Sequence, residues 1–168
     1  MIKKNPKLTA EQKLIMFEDG TEPPGTSELN NEKRDGSYHC ANCGIKLFNS
    51  SAKYESGSGW PSFYESLPDV FETKTDHLLG YARTEYHCKN CNAHHGHIFD
   101  DGPEPTGKRY CNNGVCLVFK SKINDKFVEI MITETEAYGR KSTDKMALLN
   151  TYKMFQLQLR LVHHTLQY

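Results

Sequence analysis

Neither sign of charge is in excess in this chain. Its 168 residues hold 21 Lys plus Arg against 21 Asp plus Glu, a formal net charge of zero. Without bulk positive charge, binding to a nucleic-acid backbone loses its usual long-range drive, so no nucleic-acid partner is expected. Long apolar runs are missing too. No stretch approaches the ~18–20 residues that a membrane-spanning helix needs, and no membrane association is expected. The opening "MIKKNPKLTAEQ" is basic but lacks the apolar stretch of a secretory leader. These absences predict a cytoplasmic protein. Tryptophan occurs once, as Trp60, and apolar residues make up 37% of the chain. That suffices for one domain with an appendage.

Cysteine is present in a pattern. In a reducing compartment, regularly spaced cysteines serve more often as metal ligands or catalytic thiols than as disulfides. Four of the six form "CANC" (40–43) and "CKNC" (88–91). A two-residue gap lets both sulfurs of one knuckle face a single point, and two knuckles supply the tetrahedral thiolate set of a structural Zn2+. Cys40, Cys43, Cys88 and Cys91 are therefore the candidate ligands of one zinc ion. Gly44 suits the tight turn after the first knuckle, and each knuckle follows a Tyr-His pair, as two similar strand ends would. A four-thiolate site has no open position, so its role would be structural. The competing reading is two redox-active dithiols, but neither pair opens into the strand-to-helix context of that motif.

The other two thiols, Cys111 and Cys116, lie in "GKRYCNNGVC" (107–116). On a strand, residues i and i+2 share a face. Arg109 and Cys111 would then point one way, Tyr110 and Asn112 the other. A neighbouring guanidinium favours the thiolate, so a Cys111 pKa below the ordinary ~8.5 is expected. If the strand runs on, Cys116 sits on the opposite face about 16 Å away, too far for a disulfide. A bend at the turn-prone Asn112-Asn113-Gly114 would undo that distance. Cys116, inside "VCLVF", reads as a small buried hydrophobe. Further polar chemistry concentrates in "SGSGWPSF" (56–63) and "HHGHIFDDGPEPTG" (94–107). There His95 is expected at the surface and Asp100 as a turn former.

Residues 8–18, "LTAEQKLIMFE", read as a short helix, with Thr9 as cap and Gln12 completing a capping box. "GTEPPGTSELNNEKRDG" (20–36) reads as a loop or wrapping arm. Short alternating stretches from Tyr38 to Lys120, such as "LLGYARTEYHC" and "GVCLVFK", predict a mainly antiparallel β domain with tight turns. The boundaries expected are a domain over 1–120 and an extension over 121–168. In the extension "KFVEIMIT" (126–133) reads as a strand and the chain from Thr143 as a helix. Leu148, Tyr152, Phe155, Leu159, Val162 and Leu166 form one apolar stripe. That stripe suits docking on its own domain, self-association or a frayed tail.

Together, "GTEPP", "CANCGIKLF", "SGSGWPSF", "RTEYHCKNC", "HHGHIFDDGPEPTGKRYCNN" and "LVF" resemble the methionine-R-sulfoxide reductases of B type, over residues 8–120. The resemblance implies two antiparallel sheets in a tent-like fold, with a structural zinc clip. It implies thiol-dependent reduction of methionine-R-sulfoxide, in proteins or peptides, through a sulfenic acid on Cys111. His97 would be the acid, with His94 beside it, and Arg109 would favour the thiolate. Trp60 and Phe99 would wall the methyl group; Asp101 and Asn113 would orient the site. The reductant would be an external thiol, thioredoxin or a small molecule. Ser58 stands where many members carry a resolving cysteine, and Asn112 where an apolar residue is usual. The contrasting reading, from the knuckles alone, is a non-catalytic zinc-ribbon-like interaction module. In the extension, "MITETEAYG" (131–139), with Glu136 and Tyr138, resembles a short stretch of alkyladenine DNA glycosylases; no glycosylase activity is expected from so short a match.

Overall fold

The computed structural model describes residues 4–122, and the strand and helix expected after residue 122 lie outside them. One α-helix, α1 (Ala10–Phe17), precedes nine strands among the described residues. These are β1 (Gly36–Cys40), β2 (Lys46–Asn49), β3 (Lys53–Tyr54), β4 (Ser62–Phe63), β5 (Phe71–Asp76), β6 (Arg83–Cys88), β7 (His94–Phe99), β8 (Arg109–Asn112) and β9 (Leu117–Ser121). They form two antiparallel sheets, β2-β1-β9 and β3-β4-β8-β7-β6-β5. The expected mainly β, two-sheet fold with a short N-terminal helix is what the chain adopts.

Helix α1 starts where the capping box places it. The Thr9 hydroxyl accepts from the Gln12 N–H at 3.1 Å, and the Gln12 side chain accepts from the Thr9 N–H at 2.9 Å. Leu8 and Glu18 fall just outside the helix, which covers ten through seventeen. Ile15 and Met16 are buried, and the helix packs on β7 and on the turn before β9. Gln12 Nε2 reaches on to donate to the Val115 carbonyl at 2.9 Å. The arm over 20–36 is largely loop, but one 3-10 turn forms at Glu28–Asn31, because the Ser27 hydroxyl caps the Leu29 N–H.

Aromatic rings hold the sheets together. Phe48 of the small sheet stacks on Phe63 of the large one, centroids 4.1 Å apart, and Tyr38 meets Phe63 edge-on at 4.9 Å. Phe71, Tyr86 and Tyr110 extend this cluster across the large sheet. Such rings dominate the apolar area removed from water. Tyr110 faces that core, so its strand neighbours Arg109 and Cys111 face the other side, as alternation requires.

The segment after β8 differs from the expected continuous strand. Asn113 leaves the sheet, Gly114–Cys116 makes one 3-10 turn, and β9 pairs with β1 in the other sheet. Asn112-Asn113-Gly114 is therefore a bend that passes the chain between sheets, and the 16 Å separation drawn from an unbroken strand does not apply. Cys116 is nevertheless fully buried, as expected for a small hydrophobe. "LLGYARTEYHC" becomes a strand only from Arg83, leaving Leu78 to Tyr81 on a hairpin tip.

Candidate active site

The two cysteine knuckles end β1 and β6 with the same backbone design. The Cys40 N–H donates to the Ile45 carbonyl at 2.9 Å, and the Gly44 N–H donates back to Cys40 at 2.8 Å. Cys88 repeats this with Ala93 (2.9 Å) and Asn92 (2.7 Å). Gly44 and Asn92 both take positive φ, 77° and 53°, as the turn requires. The four sulfurs converge: Cys40–Cys91 Sγ lie 3.7 Å apart and Cys43–Cys88 3.6 Å. A tetrahedral ion with ~2.3 Å bonds to sulfur needs separations of about 3.8 Å. The set is thus placed to hold one metal ion.

Cys111 lies half-buried on the outer face of the large sheet. The register lines up one row across it: Ser62 opposite Cys111, Cys111 opposite His97, His97 opposite Glu85, and Glu85 opposite Lys74. In the next row Arg109 pairs with Phe99. The Arg109 guanidinium stacks on the Phe99 ring at 4.3 Å and makes two hydrogen bonds to Asp101, at 2.8 and 2.9 Å. Asp101 thereby aims Arg109 at the thiol. The Ser58 hydroxyl stands 3.9 Å from Cys111 Sγ and shares hydrogen bonds with Ser56, which bonds Ser62 in turn.

Burial pushes the Cys111 thiol up, while Ser58 and Arg109 pull it down; the net direction is upward. The expected lowering by Arg109 is therefore real but outweighed, because a half-sequestered thiolate loses solvation. Alkylation by iodoacetamide should accordingly follow a pH curve with its midpoint above the ordinary ~8.5. Arg109→Gln removes the cation that favours the thiolate, so it should move that midpoint further up. A midpoint below 8.5, or a variant curve that moves down, would contradict this account of the thiol.

A bulge organises the histidines. Between β6 and β7 the register shifts at Tyr86/His87, so His94 opposes His87 while Glu85 opposes His97. The His94 and His97 rings consequently lie 5.8 Å apart on the outer face. His95 turns inward against Tyr86 and Phe71 and is fully buried. It was expected at the surface; the bulge, invisible in a simple alternation, sends it to the core. Burial lowers its pKa to about 3, keeping it neutral. Gly96 allows the strands to close: a Cβ there would lie 2.0 Å from the Cys111 carbonyl oxygen. Asp100 is exposed and ion-pairs with Lys108 at the bend, in keeping with its expected role.

His94 is buried, its Nδ1 2.5 Å from Glu85 Oε1 and its Nε2 3.3 Å from the Asn113 amide. Burial lowers its pKa despite Glu85, so it sits neutral. Asn113 is itself buried, bonding the His95 carbonyl at 3.1 Å and accepting from the Glu22 N–H at 3.1 Å. Its amide positions neighbours from within. His97 Nε2 lies 2.8 Å from Asp76 Oδ2. Asp76 also takes the Leu78 N–H at 2.7 Å and ion-pairs with Arg83, contacts that hold its carboxyl well below the usual range. His87, Glu85, His94 and Asp19 are close enough to share an ion, but the Lys74 ammonium, 3.2 Å from Glu85 and 3.8 Å from Asp19, already pairs with both carboxylates.

Two important residues were not foreseen, Asp76 and Glu22. Buried Glu22, in "GTEPP", accepts from the N–H groups of Gly114 (2.5 Å) and Val115 (3.1 Å). Its carbonyl accepts from Trp60 Nε1 at 3.0 Å. The arm thus pins both the bend after Cys111 and the indole. A carboxylate between prolines and glycines carries no sequence signal for such a clamp. Trp60 and Tyr54 line one groove, and Tyr54 is within electrostatic reach of Arg109 and Cys111.

The SelR domain model matches residues 8–121. The chain belongs to the SelR domain family. Among its relatives is the peptide methionine sulfoxide reductase MsrB of Pseudomonas putida (strain W619), 51% identical over 117 residues, covering 68% of this chain and 87% of the relative. The MsrB of Leifsonia xyli subsp. xyli is 51% identical over 116 residues, covering 68% and 84%. That of Thiobacillus denitrificans is 50% identical over 117 residues, covering 69% and 89%. This SelR membership bears out the B-type resemblance of the sequence. No helix among the described residues is long and apolar enough to cross a membrane.

Proposed function

We propose that this SelR protein is a peptide-methionine (R)-S-oxide reductase, with Cys111 as its nucleophile. The observation that carries the reading is the half-exposed Cys111 thiol on the open sheet face, directly opposite His97 and one strand step from Arg109. A sulfoxide sulfur becomes electrophilic when its oxygen takes a proton. The Cys111 thiolate attacks that sulfur while His97, oriented by Asp76, protonates the oxygen. Oxygen passes to the cysteine sulfur, the thioether leaves, and Cys111 remains as sulfenic acid. Two equivalents of an external thiol, thioredoxin or a small molecule, then restore the thiol and release water and a disulfide. Arg109, held by Asp101 and Phe99, favours the thiolate. His94 and Asn113 brace the site from below, and Trp60 and Phe99 supply apolar walls for the methyl group.

The metal we assign to Cys40, Cys43, Cys88 and Cys91 is Zn2+, whose preference for four thiolates the sulfur spacing suits. When bound it supplies a structural cross-link between the strand ends. Residues 1–120 would be the reductase domain and 121–168 an appendage. A reducing compartment, the cytoplasm, suits both thiol groups. The deciding experiment assays capped methionine as separate R- and S-sulfoxides with dithiothreitol. Turnover of the R isomer alone is expected; turnover of neither isomer, or of the S isomer, would refute the assignment.

A further inference from the structure

The described part of the chain exposes five large apolar residues, and three stand together: Leu78 (78% exposed), Leu79 (58%) and Tyr81 (58%). All three are on the tip that joins β5 to β6. Exposed apolar side chains clustered on one projection mark a contact surface. This tip is built onto the site. Asp76, the last residue of β5, uses one carboxylate oxygen to take the Leu78 N–H at 2.7 Å and the other to meet His97 Nε2 at 2.8 Å. The same carboxylate holds the turn and the imidazole opposite Cys111. The tip closes with the Gly80 N–H on the His77 carbonyl at 2.9 Å, which presents the side chains outward.

We infer that the Leu78–Leu79–Tyr81 tip is a docking ledge for the substrate polypeptide, gripping apolar residues in an unfolded stretch beside the oxidised methionine. The inference rests on the reductase reading and adds its substrate class. Register gives the reach. Two strand spacings of ~4.8 Å separate β8 from β6 and three separate it from β5. Tyr81 lies four residues along the line of β6 from the Cys111 row at Glu85, and Leu78 and Leu79 lie four and five along the line of β5 from Lys74 in that row. That places the ledge roughly 16–20 Å from the thiol, about five or six residues of extended chain. Folded proteins do not present such a stretch; unfolded or damaged ones do. A lone amino acid is too short to touch the ledge. The occupant is therefore a flexible chain with leucine-like or aromatic residues about five or six positions from its methionine sulfoxide.

The test compares three R-sulfoxide substrates: capped methionine sulfoxide, a peptide with Leu and Phe four to six residues away on both sides, and its twin with Ser at those positions. Wild type should prefer the apolar peptide by about tenfold in kcat/KM, through KM, the size that partial burial of two or three side chains gives. The Leu78→Ser/Leu79→Ser/Tyr81→Ser variant should lose that preference and reduce the capped substrate as wild type does. Fluorescence anisotropy of the same peptides as unreactive sulfones should repeat the order without catalysis. A variant that keeps the preference, or a wild type that shows none in kinetics and anisotropy, overturns the ledge. Loss of turnover on the capped substrate in wild type would instead refute the reductase reading, while the sulfone binding would still decide the ledge.

Discussion

Cys111→Ser should lower R-sulfoxide turnover by at least roughly a thousandfold, the scale on which loss of a nucleophile is felt. The fold should survive, since serine is close to isosteric and Cys111 lies on the outer face, off the aromatic core. Cys116→Ala should behave in the opposite way and keep turnover with a small thiol within about twofold. The two thiols differ in surroundings as well as in sequence. Cys116 is fully buried, and burial beside Glu22 pushes its thiol well up, so it is a poor attacker of a sulfenic acid. Ser58, 3.9 Å from Cys111 Sγ, stands where a resolving thiol would work and has no redox chemistry. Single-turnover oxidation without reductant, read by mass spectrometry with a sulfenic-acid trap, should find trapped Cys111 in wild type and Cys116→Ala alike. A Cys111–Cys116 disulfide formed as fast as product release would make Cys116 a resolving cysteine and sink this account.

Loss of the metal should be the largest blow to stability. Cys88→Ser replaces a fully buried sulfur at the end of β6 and leaves three ligands. Structural zinc in small domains binds with about 10–16 kcal/mol, as much as the whole net stability of a typical domain, about 5–15 kcal/mol. The variant should therefore fail to retain zinc and should lose its cooperative melt. Elemental analysis should give one zinc per wild-type chain, and chelation should lower the wild-type melting temperature. Zinc-free protein melting at the wild-type temperature would show that the knuckles hold together without an ion. His87 and Glu85 sit just before Cys88, so damage at the knuckle should also reach the network under His94.

Much was legible because it depends on local rules. The capping box at Thr9 and Gln12 needs only a three-residue spacing. Each knuckle needs a two-residue gap and a residue tolerant of positive φ. Facing of Arg109 with Cys111 needs only the two-residue period of a strand. The motifs of the family were sufficient to name it, and 114 residues, 8 to 121, match the SelR domain model. What failed were readings that required knowing where a regular element stops. The strand through Cys116 was cut by a bend, and the alternation around His95 was reset by a bulge. Both interruptions lie where one sheet hands the chain to another or admits an extra residue, and neither has a local signature as strong as a cap.

Sequence alone determined the helix cap, the two knuckles that gather four cysteines, the mainly β class and the family, since these follow from spacing, periodicity and motif. Only the tertiary structure decided the electrostatics and the partners. Asp76 meets His97 from two strands away, and Glu22 reaches the bend after Cys111 across 92 positions of chain. The Cys111 thiol is pushed up although Arg109 adjoins it, because desolvation depends on how much water the assembled sheet, arm and loop exclude. That quantity is a property of the whole surroundings, and no window of sequence contains it.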